Sequence, residues 1–217
     1  MNWLQRRYWY YKLKDSPYRA LFAHIKKGEY VSIDCETTGL NPKLAEIVTI
    51  AATKIVDNRI ISSQSFQVQL QAPKSLSSDS IKVHQLRHSD LSAGLDEKQA
   101  MIKLLEFTGN RPLVGYHIRY DKKILDLACK RQLGLPMPNT IIEVSQIYYD
   151  LLVRHLPNAY FDLSLKAICH HLDLPVRNRH DALQDVISAA LVFVRLKKGG
   201  LPSLHVSLNK LKDGQSR

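Results

Sequence analysis

Apolar residues recur along the chain in two rhythms. Around Tyr30, Val31 and Ile33, across residues 46–56, and across residues 59–70, β-branched and aromatic residues cluster between turn signals, so these runs read as strands. Asp57 and Asn58 form the turn between the second and third runs, and the short links predict an antiparallel meander. Residues 97–107 place Ala100, Met101, Leu104 and Leu105 at helical spacing. Residues 112–117 form a short apolar strand. It leads into a helix carrying Ile124, Leu125, Ala128 and Leu133, which Gly134 and Pro136 end. Residues 140–148 read as a further β-rich segment, and strand, helix and strand in succession predict a parallel crossover. Residues 163–172 and 181–196 are expected helices. Asp181 is the expected N-cap of the second, with Gln184 three residues on, and Gly199 and Gly200 stop it. Residues 71–96 form a polar, Ser-rich connection, and residues 175–179 a basic loop. The expected fold class is α/β: a mixed sheet, antiparallel meander plus parallel strands, flanked by helices.

The 217 residues suffice for one well-packed domain with extensions. The expected division is an aromatic and basic N-terminal extension over 1–28, a domain over 29–197 and a polar tail over 198–217. Within the extension, Trp3, Tyr8, Trp9, Tyr10 and Tyr11 interleave with Arg6, Arg7, Lys12 and Lys14, and Tyr18, Leu21, Phe22 and Ile25 follow at helical spacing. A helix packed on the domain explains this pattern. A platform whose rings stack on bases explains it as well. The formal net charge is +11, with 31 Lys and Arg against 20 Asp and Glu, which favours a polyanionic partner, nucleic acid before membrane. Cys35, Cys129 and Cys169 are odd in number and lack zinc-ligand spacing, so they read as reduced thiols in a cytoplasmic protein. No apolar run approaches a membrane span, and Arg6, Arg7, Lys12 and Lys14 interrupt the N-terminus so that no signal-peptide core is expected.

Candidate chemistry begins at Asp34 and Glu36. Two residues apart on a strand, both side chains share a face. Adjacent carboxylates at the end of an apolar strand repel each other and lose hydration. A hard divalent cation such as Mg²⁺ or Mn²⁺ relieves both effects. A strand end leading both acids into water is the alternative. Asp121 lies just past an apolar strand, where a lone Asp is usually a helix cap or dipole partner. Asp185 falls early in an otherwise apolar helix, and His180 precedes that helix in a position to lean over the same site from the loop. A solvent-facing Asp185 and an ordinary loop His180 fit the spacing equally, since five residues on a helix do not share a face.

Three of these stretches together resemble a known family. Asp34-Cys35-Glu36-Thr37-Thr38-Gly39-Leu40 resembles the first motif of the DEDDh 3′–5′ exonucleases, the DnaQ-like branch of the ribonuclease H-like fold, which includes the proofreading epsilon subunit of bacterial DNA polymerase III. The run from Leu113 through Gly115, Tyr116, His117 and Tyr120 to Asp121 resembles the second. His180-Asp181-Ala182-Leu183-Gln184-Asp185 is similar to the third, and Val83-His84-Gln85-Leu86 to a weaker segment between the first two. The resemblance covers roughly residues 28–197, in the family's order.

The resemblance implies that Asp34, Glu36 and Asp185 hold one of two Mg²⁺ or Mn²⁺ ions. It implies that Asp34 is shared with the second ion, which Asp121 supports largely through water, and that His180 is the general base. Thr37, Thr38, Gly39 and Leu40 are then expected against the terminal nucleotide, with His84 and His117 also near substrate. His117 stands where the family usually has Asn, and Tyr120 where Phe is common, which puts preference among substrates in question. The implied activity is hydrolysis of single-stranded 3′ ends, DNA favoured, releasing 5′-mononucleotides in a proofreading- or repair-like role beside a polymerase or repair complex. An RNA-trimming enzyme of the same family and a non-catalytic nucleic-acid or polymerase-binding module are the alternatives. Only the polar residues 198–217 follow the last expected helix, so the longer polymerase-binding tail of the epsilon subunit is not expected, nor is a clamp-binding peptide within them.

Overall fold

Strand β1 (Glu29–Thr37) runs through the middle of a five-stranded sheet. On one side it pairs antiparallel with β2 (Ile47–Val56), which pairs antiparallel with β3 (Arg59–Gln69). On the other it pairs parallel with β4 (Leu113–Gly115), and β4 pairs parallel with β5 (Ile141–Glu143). The chain's structure is a computed structural model that describes residues 1–25, 27–87, 89–157, 159–175 and 181–199. His180, residues 176–179 of the expected basic loop, and the tail from Gly200 onward lie outside the described residues.

The meander forms as its turn chemistry dictates. Asp57 and Asn58 both have positive φ, 49° and 62°, which matches the right-handed twist of the flanking strands. The parallel half needs a crossover, and α4 (Ile118–Leu133) supplies it between β4 and β5. Gly134, at φ 69°, ends α4 in the left-handed conformation.

The two faces of the sheet carry different helices. Val31, Ile33 and Cys35 of β1 join residues of α3 (Glu97–Thr108) and α4 in one core. On the opposite face Ile55 and Val114 pack with α5 (Val144–His155), α6 (Leu165–His171) and α7 (Ala182–Gly199). Ser32, fully buried on that face, donates its hydroxyl proton to the Val186 carbonyl at 2.8 Å, tying β1 to α7.

Three segments differ from expectation. Residues 140–148 are not one β segment: the strand stops at Glu143 and α5 begins at Val144. Val144, Tyr148 and Leu152, four apart, are its buried positions, and the Glu143 carboxylate caps it by accepting from the Ser145 N–H. Burial at helical period thus outweighs the β-branched composition. The polar connection contains a short helix, α2 (Ser78–His84), opened by a reciprocal cap between Ser77 and Ser80. At the N-terminus the residues from Tyr18 to Phe22 lie in a short 3-10 helix (Pro17–Phe22), preceded by an α-helix, α1 (Trp3–Lys12).

That N-terminal segment is packed on the domain. Trp9 stacks on Phe22, with ring centroids 6.0 Å apart. The Arg6 guanidinium donates to the carbonyls of Leu21, Ala23 and Pro138 at 3.0, 3.1 and 3.0 Å. Among the described residues no helix is long and apolar enough to cross a membrane.

Candidate active site

The alternation of β1 turns Asp34 and Glu36 to the α7 side, in line with Ser32. Asp34 sits opposite Ala51 on β2, and Ala51 packs against Ala182 and Val186 of α7. Small side chains on both partners let the first turn of α7 lie close to the sheet. Asp181 starts that turn as expected, its Oδ1 accepting from the N–H groups of Leu183 and Gln184 at 3.0 and 3.4 Å. One turn into the helix, Asp185 meets the strand. Asp34, Glu36 and Asp185 each offer a carboxylate oxygen, and the three oxygens lie within 4.8 Å of one another.

Asp121 approaches from the other side. It lies in the first turn of α4, is 4% exposed, and accepts the Cys35 N–H at 3.1 Å, on the strand between Asp34 and Glu36. Sequence spacing placed it at a helix start, and there its carboxylate also binds a neighbouring strand's backbone.

Crowding these acids has an electrostatic cost. Burial pushes the Asp34 carboxyl well above its ordinary value, and the charges of Asp121, Glu36 and Asp185 push it further. Glu36 rises to about 7, first from burial, then from Asp185 and Asp181. Asp121 also rises to about 7 from burial, although its bond from the Cys35 N–H opposes the shift. The donors are all hard oxygens, so the cluster fits Mg²⁺ or Mn²⁺ and offers nothing to a thiophilic metal.

Beyond Glu36 the chain turns. Thr37 Oγ1 lies 2.8 Å from the Tyr120 hydroxyl and donates to the Gly39 carbonyl at 3.1 Å, and Tyr120 donates to the same carbonyl. Thr38 is held by Glu46: its N–H donates to the Glu46 carbonyl and its hydroxyl accepts the Glu46 N–H, both at 3.0 Å. Glu46 in turn accepts from the Ser75 hydroxyl at 2.6 Å and the Ser75 N–H at 2.9 Å. The turn is therefore pinned from two sides, while Leu40 at its tip is 95% exposed.

His117 opens α4 in the left-handed conformation, φ 56°, with its ring exposed and stacked 4.2 Å from that of Tyr116. Asn, Asp and His tolerate this conformation best, so His in place of Asn keeps the backbone path. The N–H groups of His117 and Ile118 donate to the two Glu143 oxygens at 3.1 and 3.0 Å. One carboxylate at the end of β5 thus caps both α4 and α5. No local pattern marks Tyr120, Ser75 or the Glu143 contact with α4, because those partners are 25 to 83 residues away. His180 and the side chain of His84 lie outside the described residues.

Comparison with known proteins follows the same outline. The exonuclease family matches residues 31–193. A DNA polymerase III PolC-type protein of Caldanaerobacter subterraneus subsp. tengcongensis is 27% identical over 170 residues, covering 78% of this chain and 12% of that protein. A DNA polymerase III subunit epsilon-like protein of Rhodobacter capsulatus is 27% identical over 186 residues, covering 83% of this chain and 25% of that one. Among solved structures, E. coli exonuclease I in complex with a dT13 oligonucleotide superposes with a TM-score of 0.66 at 14% identity, over 87% of this chain and 43% of that chain. Cell-death related nuclease 4 superposes at 0.66 and 16% identity, over 82% and 66%. At these identities the solved structures establish the ribonuclease H-like fold. The chain corresponds to an eighth to a quarter of the length of these two curated relatives.

Proposed function

The chain belongs to the exonuclease family, and from that premise we propose that it hydrolyses the 3′-terminal phosphodiester of single-stranded nucleic acid, releasing 5′-mononucleotides. The observation that carries this reading is the meeting of Asp34, Glu36 and Asp185 within 4.8 Å, with Asp121 fastened to the strand between the first two. DNA is the favoured substrate, since the curated relatives are named for DNA polymerase III. The same names support a proofreading- or repair-like role in the cytoplasm beside a polymerase.

Asp34, Glu36 and Asp185 would hold one Mg²⁺ or Mn²⁺ ion, with Asp34 and Asp121 supporting a second. When bound, the cations supply the positive charge that an anionic phosphodiester under attack requires and lower the pKa of the attacking water. The protein's own groups do the rest. The Cys35 N–H holds Asp121, and the Asp181 cap sets the first turn of α7 that carries Asp185, which limits the reorganisation needed during the reaction. The pinned Thr37–Leu40 turn lies against the terminal nucleotide. His180 takes the proton from water, a task suited to a side chain whose ordinary pKa is about 6.5.

One gel tests the proposal. Single-stranded DNA, single-stranded RNA and duplex, labelled at the 5′ end, are incubated with Mg²⁺, Mn²⁺ or EDTA. A ladder shortening from the 3′ end of single-stranded DNA, absent in EDTA, is the expected result. Faster loss of RNA would reassign the substrate, and intact strands in every lane would leave a binding module.

A further inference from the structure

Helix α1 has two sides with different fates. Trp9, Tyr10 and Leu13 pack toward the core, and Arg6 is consumed by three carbonyls. The other side is left in water: Trp3, Leu4, Tyr8 and Tyr11 are 57–67% exposed. Cations are threaded among them, Arg7 lying over the rings of Trp3 and Tyr11 at 5.4 and 5.6 Å, and Lys12 over Tyr8 at 5.5 Å. The first 28 residues hold seven of the chain's 31 Lys and Arg but only one of its 20 Asp and Glu.

Helix α4 borders both this surface and the carboxylate cluster. Asp121 faces inward from the first turn of α4, and exposed Arg119 and Lys123 lie on the outer side of the same turns. Further along, Lys122 and Lys130 flank Asp126 at 3.5 and 2.7 Å and offset its charge. Lys122 and Lys130 then line one wall of a groove whose other wall is Leu4 and Tyr8 of α1. Lys122, Asp126 and Lys130 thus border the α1 rings, on the side of α4 away from Asp121.

We propose that the exposed side of α1 is a second holding surface for the single strand, gripping it by base stacking and phosphate contacts at a distance from the end being cut. The proposal rests on the exonuclease reading. A membrane-lying helix would segregate its apolar and charged residues on opposite faces, whereas Trp3, Arg7 and Tyr11 alternate along one row, with Arg7 5.4 and 5.6 Å from the two rings. Alternating rings and cations suit a polymer that alternates bases and phosphates.

The test uses the full chain in EDTA, titrated with fluorescent single-stranded DNA of about 20 and about 4 nucleotides, lengths that bracket a typical single-strand site. The longer strand should bind at least about tenfold more tightly. Trp3→Ala, Tyr8→Ala and Tyr11→Ala combined should remove about tenfold or more of that advantage. The same variant should leave short-strand affinity, and metal-dependent trimming of the short strand, unchanged. Arg7→Gln with Lys12→Gln should lessen the log–log salt slope for the long strand by about 1.4. Melting temperature controls for folding. Equal affinity for both lengths, or long-strand affinity unchanged in both variants, overturns the proposal. Retained strand affinity with lost binding to phosphatidylcholine–phosphatidylserine vesicles overturns it too, in favour of a lipid surface. Failure of the wild type to trim the short strand with Mg²⁺ or Mn²⁺ would instead sink the exonuclease reading, while the binding comparison would still judge α1.

Discussion

Val31, Ile33 and Cys35 on one face of β1 and Ser32, Asp34 and Glu36 on the other share a single stretch of backbone, yet their energetics are opposed. The odd-numbered side chains are at most 9% exposed and pack against α3 and α4. The aliphatic side chains Val31 and Ile33 each contribute about 1.5–3 kcal/mol, as an upper estimate. The acids on the even-numbered face lose hydration and repel one another. A two-residue period therefore lets one strand anchor itself with one face and hold a strained cluster of charge with the other. Stability lives on the first face and the proposed chemistry on the second.

The largest effect should come from breaking that division on its chemical side. Asp34→Asn keeps the shape and removes a charge that Asp121, Glu36 and Asp185 all oppose. Trimming of a labelled strand should fall by about 10²–10³ or more, the scale for losing one preorganised charge-stabilising group. In EDTA at pH 8 the melting temperature should rise rather than fall. Ile33→Ala, one residue away and 1% exposed, should do the reverse. It should cost about 2–5 kcal/mol in urea unfolding while leaving the rate of the folded protein near wild type. A matching loss of stability in both variants would break the comparison.

The same contrast explains what could be read from the chain beforehand. β1, β2 and β3 were legible because alternation and the Asp57-Asn58 turn are local signals. The three clustered acids were legible because each sits at an element end within a motif, and the resemblance joined motifs about 150 residues apart. α5 was misread because Ile141, Ile142, Val144 and Ile147 look β-like, while its burial period becomes visible only across Val144, Tyr148 and Leu152. α1 only partly buries Trp9 and Tyr10 while Trp3, Leu4, Tyr8 and Tyr11 stay exposed, so its apolar residues do not mark one buried face. Glu143 and Tyr120 act across the crossover, on partners that only the finished topology brings near.

A pH series sharpens the comparison with a smaller effect. The folded values of Glu36 and Asp121, both about 7, exceed the ordinary carboxylate values near 4. Between those limits the folded state binds more protons than the unfolded state, so stability is lost as pH rises from about 4 to about 7. Metal-free protein should therefore melt lower at pH 8 than at pH 5.5. Mg²⁺ should restore most of the difference at pH 8, because binding to the folded state alone stabilises it. Asp34→Asn should flatten the slope, whereas Ile33→Ala should shift the whole curve down without altering its shape. A wild-type slope of the opposite sign would show that the acids are not crowded.

The smallest expected effect tests whether the two faces are truly separate. Tyr120 rises from α4, a helix of the odd-numbered face, and reaches around the end of β1 to the Thr37 hydroxyl and the Gly39 carbonyl. Burial pushes its phenol above the ordinary value, so it remains a donor at every pH of interest. Tyr120→Phe removes the hydroxyl and leaves the Thr37 bond to Gly39, 3.1 Å, as the turn's own brace. Each lost hydrogen bond contributes about 0.5–1.5 kcal/mol, and the exposed end of the turn can recover part of that from water. The turn should then persist but sit less firmly against the terminal nucleotide. KM should rise by about threefold to tenfold with kcat within about twofold of wild type, measured on a short single strand. A fall in kcat with KM unchanged would mean that Tyr120 acts on the carboxylates through β1 rather than on the turn, and that anchoring and chemistry are not divided between the strand's two sides.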